Sequence, residues 1–423
     1  MKIMSKRLQQ KNNKIQDYNS KQRRLRVLAI GDLTNNIATL KKFVNSDIHL
    51  INFSWDGASK IIDDQNDIEF FNTDKISEIV QKINSIKNEY DVTIAMSPTG
   101  ILVSYLADLN YIIFFVGDDI KAPPYIKDVK DPYATNESLY KFNNIERIFY
   151  KKAYDNAVAT VLIDDELEPY LRKYTNHKVR ISGYIMDTQI FNDNIEPLDG
   201  KKEKFTFLSP QRLDPGKGID KIWDALKLCK SDFEVLQIKW YNNRIPEEIK
   251  LAKKWIDEKP KQVKFIPTMK KEELARYYDF ADGVIGQMQS GFQGYVEKEA
   301  SLLKKPVIHY VNPNHKYIID GKNIQPPFLP NSSEPKEIAR IIDKVVEDDE
   351  FRNRLAKEGY EYIKSITDSE KISKWWDRLF QEICTEYEKN VKNSSGINLK
   401  VRLWTYLIAN RLYVRKFRKL LKS

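Results

Sequence analysis

Short apolar runs and helix-spaced apolar residues alternate along the first part of the chain. Consecutive β-branched and aliphatic residues predict strands at residues 26–30, 48–53, 92–96, 111–116, 157–163 and 179–181. Between the second and third runs, apolar residues recur at positions 76, 79, 80, 83 and 86, the spacing of an amphipathic helix. Apolar strands that alternate with helices are typical of a parallel sheet covered on both faces. The pattern predicts an α/β domain over residues 25–195.

The alternation restarts after a polar linker at residues 192–204. Further strands are predicted at residues 205–208, 233–238, 263–266, 283–286 and 306–310, which gives a second α/β domain over residues 205–365. Two doubly wound domains joined by a short linker place a cleft between the carboxyl ends of their strands, where such sheets bind ligands. Residues 366–392 have helical periodicity, and we expect them to return toward the first domain.

The net charge of +10 belongs to the two ends of the chain. Residues 1–26 carry nine Lys or Arg and one Asp, and residues 397–423 carry eight Lys or Arg and no acid. The residues between them hold 53 basic and 59 acidic side chains, a net charge of −6. A protein that binds nucleic acid through its body needs a basic face there, so this class is disfavoured. We expect residues 1–24 to be a disordered basic arm.

Residues 397–423 have the pattern of a basic amphipathic helix. Apolar residues at helical spacing are Leu399, Leu403, Leu407, Val414, Phe417 and Leu421. Basic residues at helical spacing are Arg411, Arg415, Arg418 and Lys422. Such a helix is typical of an interfacial segment lying on an anionic membrane. The alternative is that its apolar side packs back on the first domain.

The chain has no signature of secretion or of membrane insertion. No apolar stretch approaches the ~20 residues that a spanning helix needs. The two cysteines, Cys229 and Cys384, lie far apart and form neither a disulfide framework nor a zinc ligand set. We expect a cytoplasmic protein, held by its tail at the inner face of the membrane.

A glycine-containing turn with two cations opens the second domain. Residues 209–218 (SPQRLDPGKG) run from a predicted strand through a tight turn to a predicted helix. Free N–H groups at a helix N-terminus, together with Arg212 and Lys217, suit a diphosphate. Asp214 and Asp220 are interpreted as turn and cap residues. The alternative is an ordinary strand–helix turn with solvated charges.

A second glycine-rich segment lies between the strand at 283–286 and a helix predicted to begin near Gln293. Glu299 is predicted to face the core near a bound nucleotide, where ribose hydroxyls would satisfy its carboxylate. Glu297 is interpreted as the helix-surface glutamate of the pair.

Together these segments resemble the retaining, GT-B fold glycosyltransferases of family four. Residues 212–220 (RLDPGKGID) are similar to that family's phosphate loop, and residues 299–308 (EASLLKKPVI) to its helix–strand segment "EAMACGKPVI". Weaker similarities are residues 117–120 (GDDI) to "HGSDI" and residues 183–191 to "G.D...F". The resemblance implies a GT-B fold with two Rossmann-like domains, an N-terminal acceptor domain and a C-terminal donor domain.

The resemblance also implies roles for individual residues. Arg212 and Lys217 would be catalytic, by clamping the donor diphosphate. Glu299 would hold the ribose hydroxyls as the second glutamate of the family's Glu-x7-Glu motif. The full set of implied donor-binding residues is Gly216, Gly218, Gly291, Phe292, Gln293, Gly294 and Glu299. The acceptor-side candidates are Gly31, Asp118 and Asp119.

The sequence departs from the family pattern at three motif positions. The first glutamate of Glu-x7-Glu falls on Gly291, and the histidine of "HG" falls on Val116. The glycine of "GKPVI" falls on Lys304. Some relatives read more like "Q…G..G….E", which this sequence satisfies. We therefore interpret the protein as a variant sub-group, and the group that contacts the donor sugar stays open.

The expected function is transfer of a sugar, of the hexosyl type, from a nucleotide sugar to a glycan or lipid-linked acceptor with retention. No cofactor and no metal are expected, because Asp-x-Asp is absent and the four histidines lack metal-ligand spacing. Nucleic acid is not expected as a partner. Alternatives are a non-catalytic nucleotide-sugar binder or scaffold, and a sugar-nucleotide epimerase or hydrolase, on the same fold.

Overall fold

The computed structural model describes residues 24–53, 68–117, 120, 123–126, 142–173, 179–241, 246–319, 322–390 and 401–408. Two acceptor-side candidates, Asp118 and Asp119, lie outside these ranges, as do most of the N-terminal arm and residues 409–423 of the tail.

A seven-stranded sheet forms the first α/β unit. Its strands are β1 (Arg26–Ile30), β2 (Asp47–Phe53), β3 (Glu69–Phe71), β4 (Val92–Ala95), β5 (Tyr111–Phe115), β6 (Ala159–Leu162) and β7 (Val179–Ile181). Their spatial order is β3-β2-β1-β4-β5-β6-β7, and every neighbouring pair is parallel. The six strands predicted from apolar runs are confirmed to within two residues at each end. β3 was not predicted, because three residues are too short to show a pattern.

Helices cover both faces of this sheet. They are α1 (Asn36–Lys41), α2 (Ile76–Ile86), α3 (Ser97–Leu106), α4 (Asn144–Asp155) and α5 (Glu168–Leu171). The helix predicted from the spacing of residues 76–86 is confirmed, and Ile79, Val80 and Ile83 are its buried residues. The central strands are buried along nearly their whole length, and for this reason they appear in the sequence as continuous apolar runs.

A five-stranded parallel sheet forms the second α/β unit. Its strands are β8 (Phe205–Ser209), β9 (Phe233–Ile238), β10 (Val263–Ile266), β11 (Gly283–Ile285) and β12 (Val307–Ile308), in the order β10-β9-β8-β11-β12. Helices around it are α6 (Ile219–Leu228), α7 (Pro246–Asp257), α8 (Lys271–Phe280), α9 (Tyr295–Leu302), α10 (Pro335–Glu347) and α11 (Asp349–Ile366). A small antiparallel hairpin joins β13 (Ile318–Ile319) to β14 (Lys322–Asn323).

The chain then crosses back to the first sheet. Helix α12 (Ser369–Asn390) places Trp376, Leu379, Phe380 and Ile383 in the apolar core of that sheet. The Asp377 carboxylate accepts backbone N–H bonds from Asn45 and Ser46 at 2.9 and 3.0 Å. Residues 401–408 form a further helix, α13, against the same unit. Among the helices of the described ranges, none is both long and apolar enough to cross a membrane.

The strand orders fix where ligands can enter. In each sheet the strand order reverses direction at the first strand of the unit. β1 lies between β2 and β4, and β8 lies between β9 and β11. A crevice opens at the carboxyl end of the strands at such a switch point. Gly31 and Asp32 follow β1, while residues 209–218 and 286–294 follow β8 and β11. The predicted donor segments therefore occupy one crevice.

Candidate active site

The 209–218 loop is shaped by its own aspartate. Asp214 accepts the backbone N–H of Gly216 at 2.6 Å and caps a single 3-10 turn at Pro215–Lys217. The predicted role of Asp214 as a turn and cap residue is confirmed. Its other oxygen accepts a hydrogen bond of 2.8 Å from Nε of Arg212, and the end of the guanidinium binds the same oxygen. The ion pair fixes the direction of the Arg212 side chain at the mouth of the loop.

The two glycine-containing loops contact each other through backbone. Met288 donates its N–H to the carbonyl of Lys217 at 3.0 Å. Gly218 has φ +71°, and a β-carbon on it would lie 3.0 Å from the Met288 carbonyl carbon. Only glycine adopts this conformation without strain while letting the second loop approach so closely. The structure thus brings together both segments that the sequence singled out, beside the N-terminus of α6.

Gly291 has a local reason to replace the glutamate of the family motif. Its φ is +77°, and a β-carbon would lie 3.0 Å from both the backbone nitrogen and the Cβ of Asn312. Tyr317 donates its hydroxyl to the Gly291 carbonyl at 3.0 Å, which holds this path of the chain. A glutamate at position 291 would be strained and crowded in this loop.

Other polar contacts close the 286–294 loop on itself. The side chain of Gln287 donates to the Phe292 carbonyl and accepts the hydroxyl of Ser290 at 2.7 Å. The Phe292 ring packs edge-on against His315, with centroids 5.6 Å apart. Helix α9 begins at Tyr295, two residues beyond the predicted start. The loop ends at the positive end of a helix dipole, as an anion site requires.

Glu297 is buried, so the prediction that it lies on the helix surface is wrong. The residue is 1% exposed, and its carboxylate accepts the N–H groups of Gly294 at 2.7 Å and Gln287 at 3.2 Å. Nδ1 of His309 lies 3.0 Å from the same carboxylate. A single side chain therefore fastens both ends of the 286–294 loop. The periodicity of one short helix could not show this, because both glutamates face protein.

The charge around Glu297 favours its ionised form. Burial alone would raise the pKa of Glu297, but the charge and hydrogen bond of His309, with a smaller contribution from Lys217, lower it to about 2. Lys217 thus acts electrostatically on the carboxylate beneath the loops, in addition to its position at their junction.

Glu299 faces the core, as predicted, and lies in a second buried cluster. The hydroxyl of Tyr278 donates to one carboxylate oxygen at 3.1 Å, and Nζ of Lys271 lies 3.7 Å from the other. The Glu299 side chain is 5% exposed. Burial, followed by the charge of Glu299, raises the pKa of Tyr278, which keeps the phenol as a hydrogen-bond donor. The ribose-binding role of Glu299 stays a prediction.

The 286–294 loop and helix α9 contact the first unit through Tyr184, Tyr295 and Lys298. The Tyr184 hydroxyl donates to the Gln293 carbonyl at 3.3 Å, and the same carbonyl accepts Nζ of the buried Lys298 at 2.9 Å. Nζ of Lys298 also lies 3.6 Å from the centroid of the Tyr184 ring. Tyr295 donates its hydroxyl to Asn36 of helix α1. These contacts tie the position of Gln293 to the relative placement of the two sheets.

Gly31, the acceptor-side candidate that lies in the described ranges, and its neighbour Asp32 directly follow β1. Gly31 is buried after β1 and donates its N–H to Ile51 at 2.9 Å. Asp32 was not predicted as a site residue, although Gly-Asp directly after a switch-point strand was an available signal. It is fully buried, and its Oδ2 accepts the N–H of Ala38 at 2.9 Å. Its Oδ1 has no hydrogen-bond partner among the described residues.

Burial raises the pKa of Asp32 to about 7, against the opposing backbone N–H groups of helix α1 and the charge of Lys271. The unfolded chain releases this proton near pH 4, so folding becomes less favourable as pH rises from about 4 to about 7. We expect Asp32→Asn to flatten this part of the pH dependence and to raise stability at pH 8. Chemical denaturation at pH 5 and pH 8 measures it; equal pH slopes for both proteins would contradict the assignment.

Within the described ranges, no group of three or more His, Cys, Asp or Glu side chains converges in a way that could hold a metal. The expectation that the reaction needs no metal stays a prediction. What the site offers is two loops, two helix N-termini and two cations at the carboxyl end of the second sheet.

A comparison with protein families finds a match that covers the second α/β unit. Residues 191–362 match the family described as Glycosyl transferases group 1. In a comparison with curated protein sequences, no match to the chain is found. The family match covers both the 209–218 and the 286–294 loops, and it agrees with the resemblance drawn from their motifs.

Several solved structures resemble this one over most of the chain. Anabaena HepE in complex with UDP and glucose has a TM-score of 0.62 at 16% identity, over 85% of this chain and 100% of that one. Sucrose-phosphate synthase from Thermosynechococcus elongatus has a TM-score of 0.60 at 14% identity, over 86% and 100%. A putative UDP-N-acetylglucosamine 2-epimerase from Listeria monocytogenes has a TM-score of 0.51 at 12% identity, over 87% and 98%. The predicted α/β, GT-B fold is confirmed.

Proposed function

We propose that this protein, a GT-B fold glycosyltransferase whose residues 191–362 match glycosyl transferases group 1, moves a sugar from a nucleotide sugar to an acceptor hydroxyl with retention. The observation that carries the proposal is the junction of the two glycine-containing loops at Gly218 and Met288. There, Arg212, Lys217 and the N-termini of α6 and α9 gather positive potential in one crevice. A diphosphate is the ligand this potential suits.

In the proposed reaction the bond between the anomeric carbon and the diphosphate breaks, the acceptor oxygen bonds to that carbon, and the proton of the acceptor hydroxyl passes to the departing diphosphate. Negative charge develops on the departing diphosphate. Arg212 and Lys217 act as catalytic residues because preorganised cations stabilise that charge more in the transition state than in the ground state. Retention and the hexosyl class follow from the resemblance to the retaining family. UDP-glucose is the first donor to test, since it is bound by a protein of this fold.

The second α/β unit would bind the donor and the first unit the acceptor. Backbone N–H groups of Gly216, Gly218 and residues 291–294 would contact the phosphates and the sugar. Glu299 would contact the ribose. The contacts between Gln293 and Tyr184 support the view that donor binding and the placement of the acceptor unit are coupled. Closure of the crevice would exclude water and limit hydrolysis of the donor.

Two alternatives use the same crevice without glycosyl transfer. A non-catalytic nucleotide-sugar binder is motivated by Gly291 and Val116, and an epimerase by the similarity to the Listeria protein. A side chain at position 291 would be strained and crowded, so the backbone conformation of this loop explains why the motif glutamate is absent. Its absence is therefore weaker support for the first alternative, the non-catalytic binder. The family match over both loops favours transfer over epimerisation.

For the acceptor we propose a lipid-linked or cell-surface glycan precursor, met at the cytoplasmic face of an anionic membrane. The support is the basic tail at residues 397–423, with eight Lys or Arg and no acid. Such a protein would belong to polysaccharide biosynthesis and would be attached to the membrane peripherally.

A panel of nucleotide sugars tests the function directly. The expected result is that one donor, at 100 times its dissociation constant, stabilises the full chain by about 2.7 kcal/mol in thermal unfolding. Nucleotide release from that donor should then depend on an added acceptor. Stabilisation without release would support the binder, and conversion of the donor without acceptor would support the epimerase or hydrolase. Stabilisation by none of the donors would overturn the assignment of the crevice.

A further inference from the structure

The short helix α13 exposes an unusual share of apolar surface. Eight large hydrophobic side chains are exposed among the described residues, and three of them lie in this eight-residue segment. They are Val401 at 56%, Trp404 at 61% and Ile408 at 51%. Their spacing of three and four residues puts them on one side of the helix, which we call the outward face.

The opposite side of α13 packs on helices α3 and α4 of the first unit. Arg402 binds the Asp108 carboxylate at 2.8 Å, and its guanidinium stacks over the ring of Tyr105 at 4.9 Å. Tyr406 is buried against Phe149, with ring centroids 5.2 Å apart. Leu403 and Leu407 also pack against this core.

These contacts reverse the orientation expected from the apolar pattern. That pattern assigns Leu403 and Leu407 to the side of the tail that would meet a membrane. In the structure they face protein, which is the packing alternative for this part of the tail. The fixed inner side leaves the outward face as the surface that α13 offers to a partner.

The sequence after α13 adds positive charge at the same helical spacing. From Trp404 and Ile408, steps of three and four residues lead to Arg411, Arg415, Arg418 and Lys422. These residues lie outside the described ranges and enter the argument by their spacing and charge alone. Residues 409–423 contain six Lys or Arg and no Asp or Glu. A partner that covers this surface must accept aromatic and aliphatic side chains next to a dense cationic segment.

We propose that the outward face, and not the leucine side, rests on an anionic lipid surface. This deepens the proposed function, on which it rests, by assigning the membrane-contacting side chains. Tryptophan is suited to the boundary between headgroups and acyl chains, since its ring is apolar and its N–H is polar. Each Lys or Arg near such a surface strengthens binding by about fivefold. Nucleic acid fits less well, because residues 27–396 carry a net charge of −6.

Vesicle sedimentation of the full chain tests the proposal, with phosphatidylglycerol-containing and pure phosphatidylcholine vesicles. We expect binding to the anionic vesicles only, and a decrease at high salt. Trp404→Ser combined with Ile408→Ser should weaken binding about tenfold or more, because the apolar contact is lost. Leu228→Ser is the matched control, since Leu228 is 48% exposed on the other unit, and it should bind as the unaltered protein does. Replacing Arg411, Arg415 and Arg418 by Gln should weaken binding further and lower the salt dependence, because it removes three of the six Lys or Arg in residues 409–423.

Unchanged vesicle binding by the Trp404/Ile408 variant would overturn the assignment of the outward face. Failure of the unaltered chain to bind anionic vesicles would overturn the lipid partner. A dimeric unaltered chain that becomes monomeric in the Trp404/Ile408 variant would also overturn it, because the outward face would then bind a second copy of the chain. The thermal shift with donor and turnover with a soluble acceptor analogue are recorded on the same variants. If both stay unchanged while vesicle binding is absent, the transferase proposal stands and only the membrane inference fails.

Discussion

Replacing Lys217 by alanine should lower the rate of sugar transfer by about two orders of magnitude or more while the protein stays folded. The same result is expected for Arg212→Ala. Removing one preorganised group that stabilises developing charge costs roughly 2.7–4 kcal/mol of activation free energy. Both residues lie on the 209–218 loop, and Lys217 is joined through its carbonyl to the second loop. Steady-state kinetics with the identified donor measures the effect.

Two controls separate chemistry from folding in this experiment. Lys227→Ala removes a cation from the exposed end of α6, where Lys227 contacts Asp224, and should keep full activity. Thermal unfolding without donor should change little in the Lys217 variant. Near-full activity in both the Arg212 and Lys217 variants would show that the diphosphate binds elsewhere.

Replacing Glu297 by glutamine should destabilise the fold by about 1.5–3 kcal/mol, the usual net contribution of a buried hydrogen bond to a charged group. The variant removes the negative charge beside the buried His309 and weakens the hydrogen bonds that the carboxylate accepts from Gly294 and Gln287. Denaturant unfolding gives the free energy. Glu272→Gln on helix α8 is the matched control, because Glu272 is exposed, and it should be neutral.

The pH dependence gives this prediction a second test. Since the pKa of Glu297 is lowered from 4.5 to about 2, its stabilising contribution is complete above pH 4.5 and is lost as pH falls toward 2. The Glu297→Gln variant should therefore lack part of the acid destabilisation of the unaltered protein between these values. An unchanged acid profile together with a small loss of stability would mean that the pair with His309 contributes little.

Most of the fold was predictable because it depends on local periodicity. Buried parallel strands need continuous apolar runs, so each of the predicted strands from Arg26–Ile30 to Val307–Ile308 is found in the structure. The 209–218 and 286–294 loops were also visible, since glycines and cations between a strand and a helix are typical of an anion-binding turn. β3 was not predicted because three residues are too few to show a period.

The site's carboxylates could not be sorted from the sequence. Glu297 and Glu299 lie two residues apart on a short helix, and both are buried because protein packs on more than one side of it. Periodicity assumes a single solvent face, which fails for such a helix. The position of Asp32 after β1 was visible, but its raised pKa was not, because it comes from full burial in the folded protein.

The two α/β units, the loops that carry Arg212 and Lys217, and the basic tail could all be recognised from the chain alone, because each depends on residues close together in sequence. The pairing of charges and the covering of faces could not, because they depend on elements that meet only when the chain has folded. Glu297 on helix α9 meets His309 at the end of strand β12. Leu403 turns inward because Arg402 and Tyr406 anchor α13 to helices α3 and α4 of the first unit. An amphipathic pattern names the faces of a helix; which of them meets protein depends on the surface on which the helix packs.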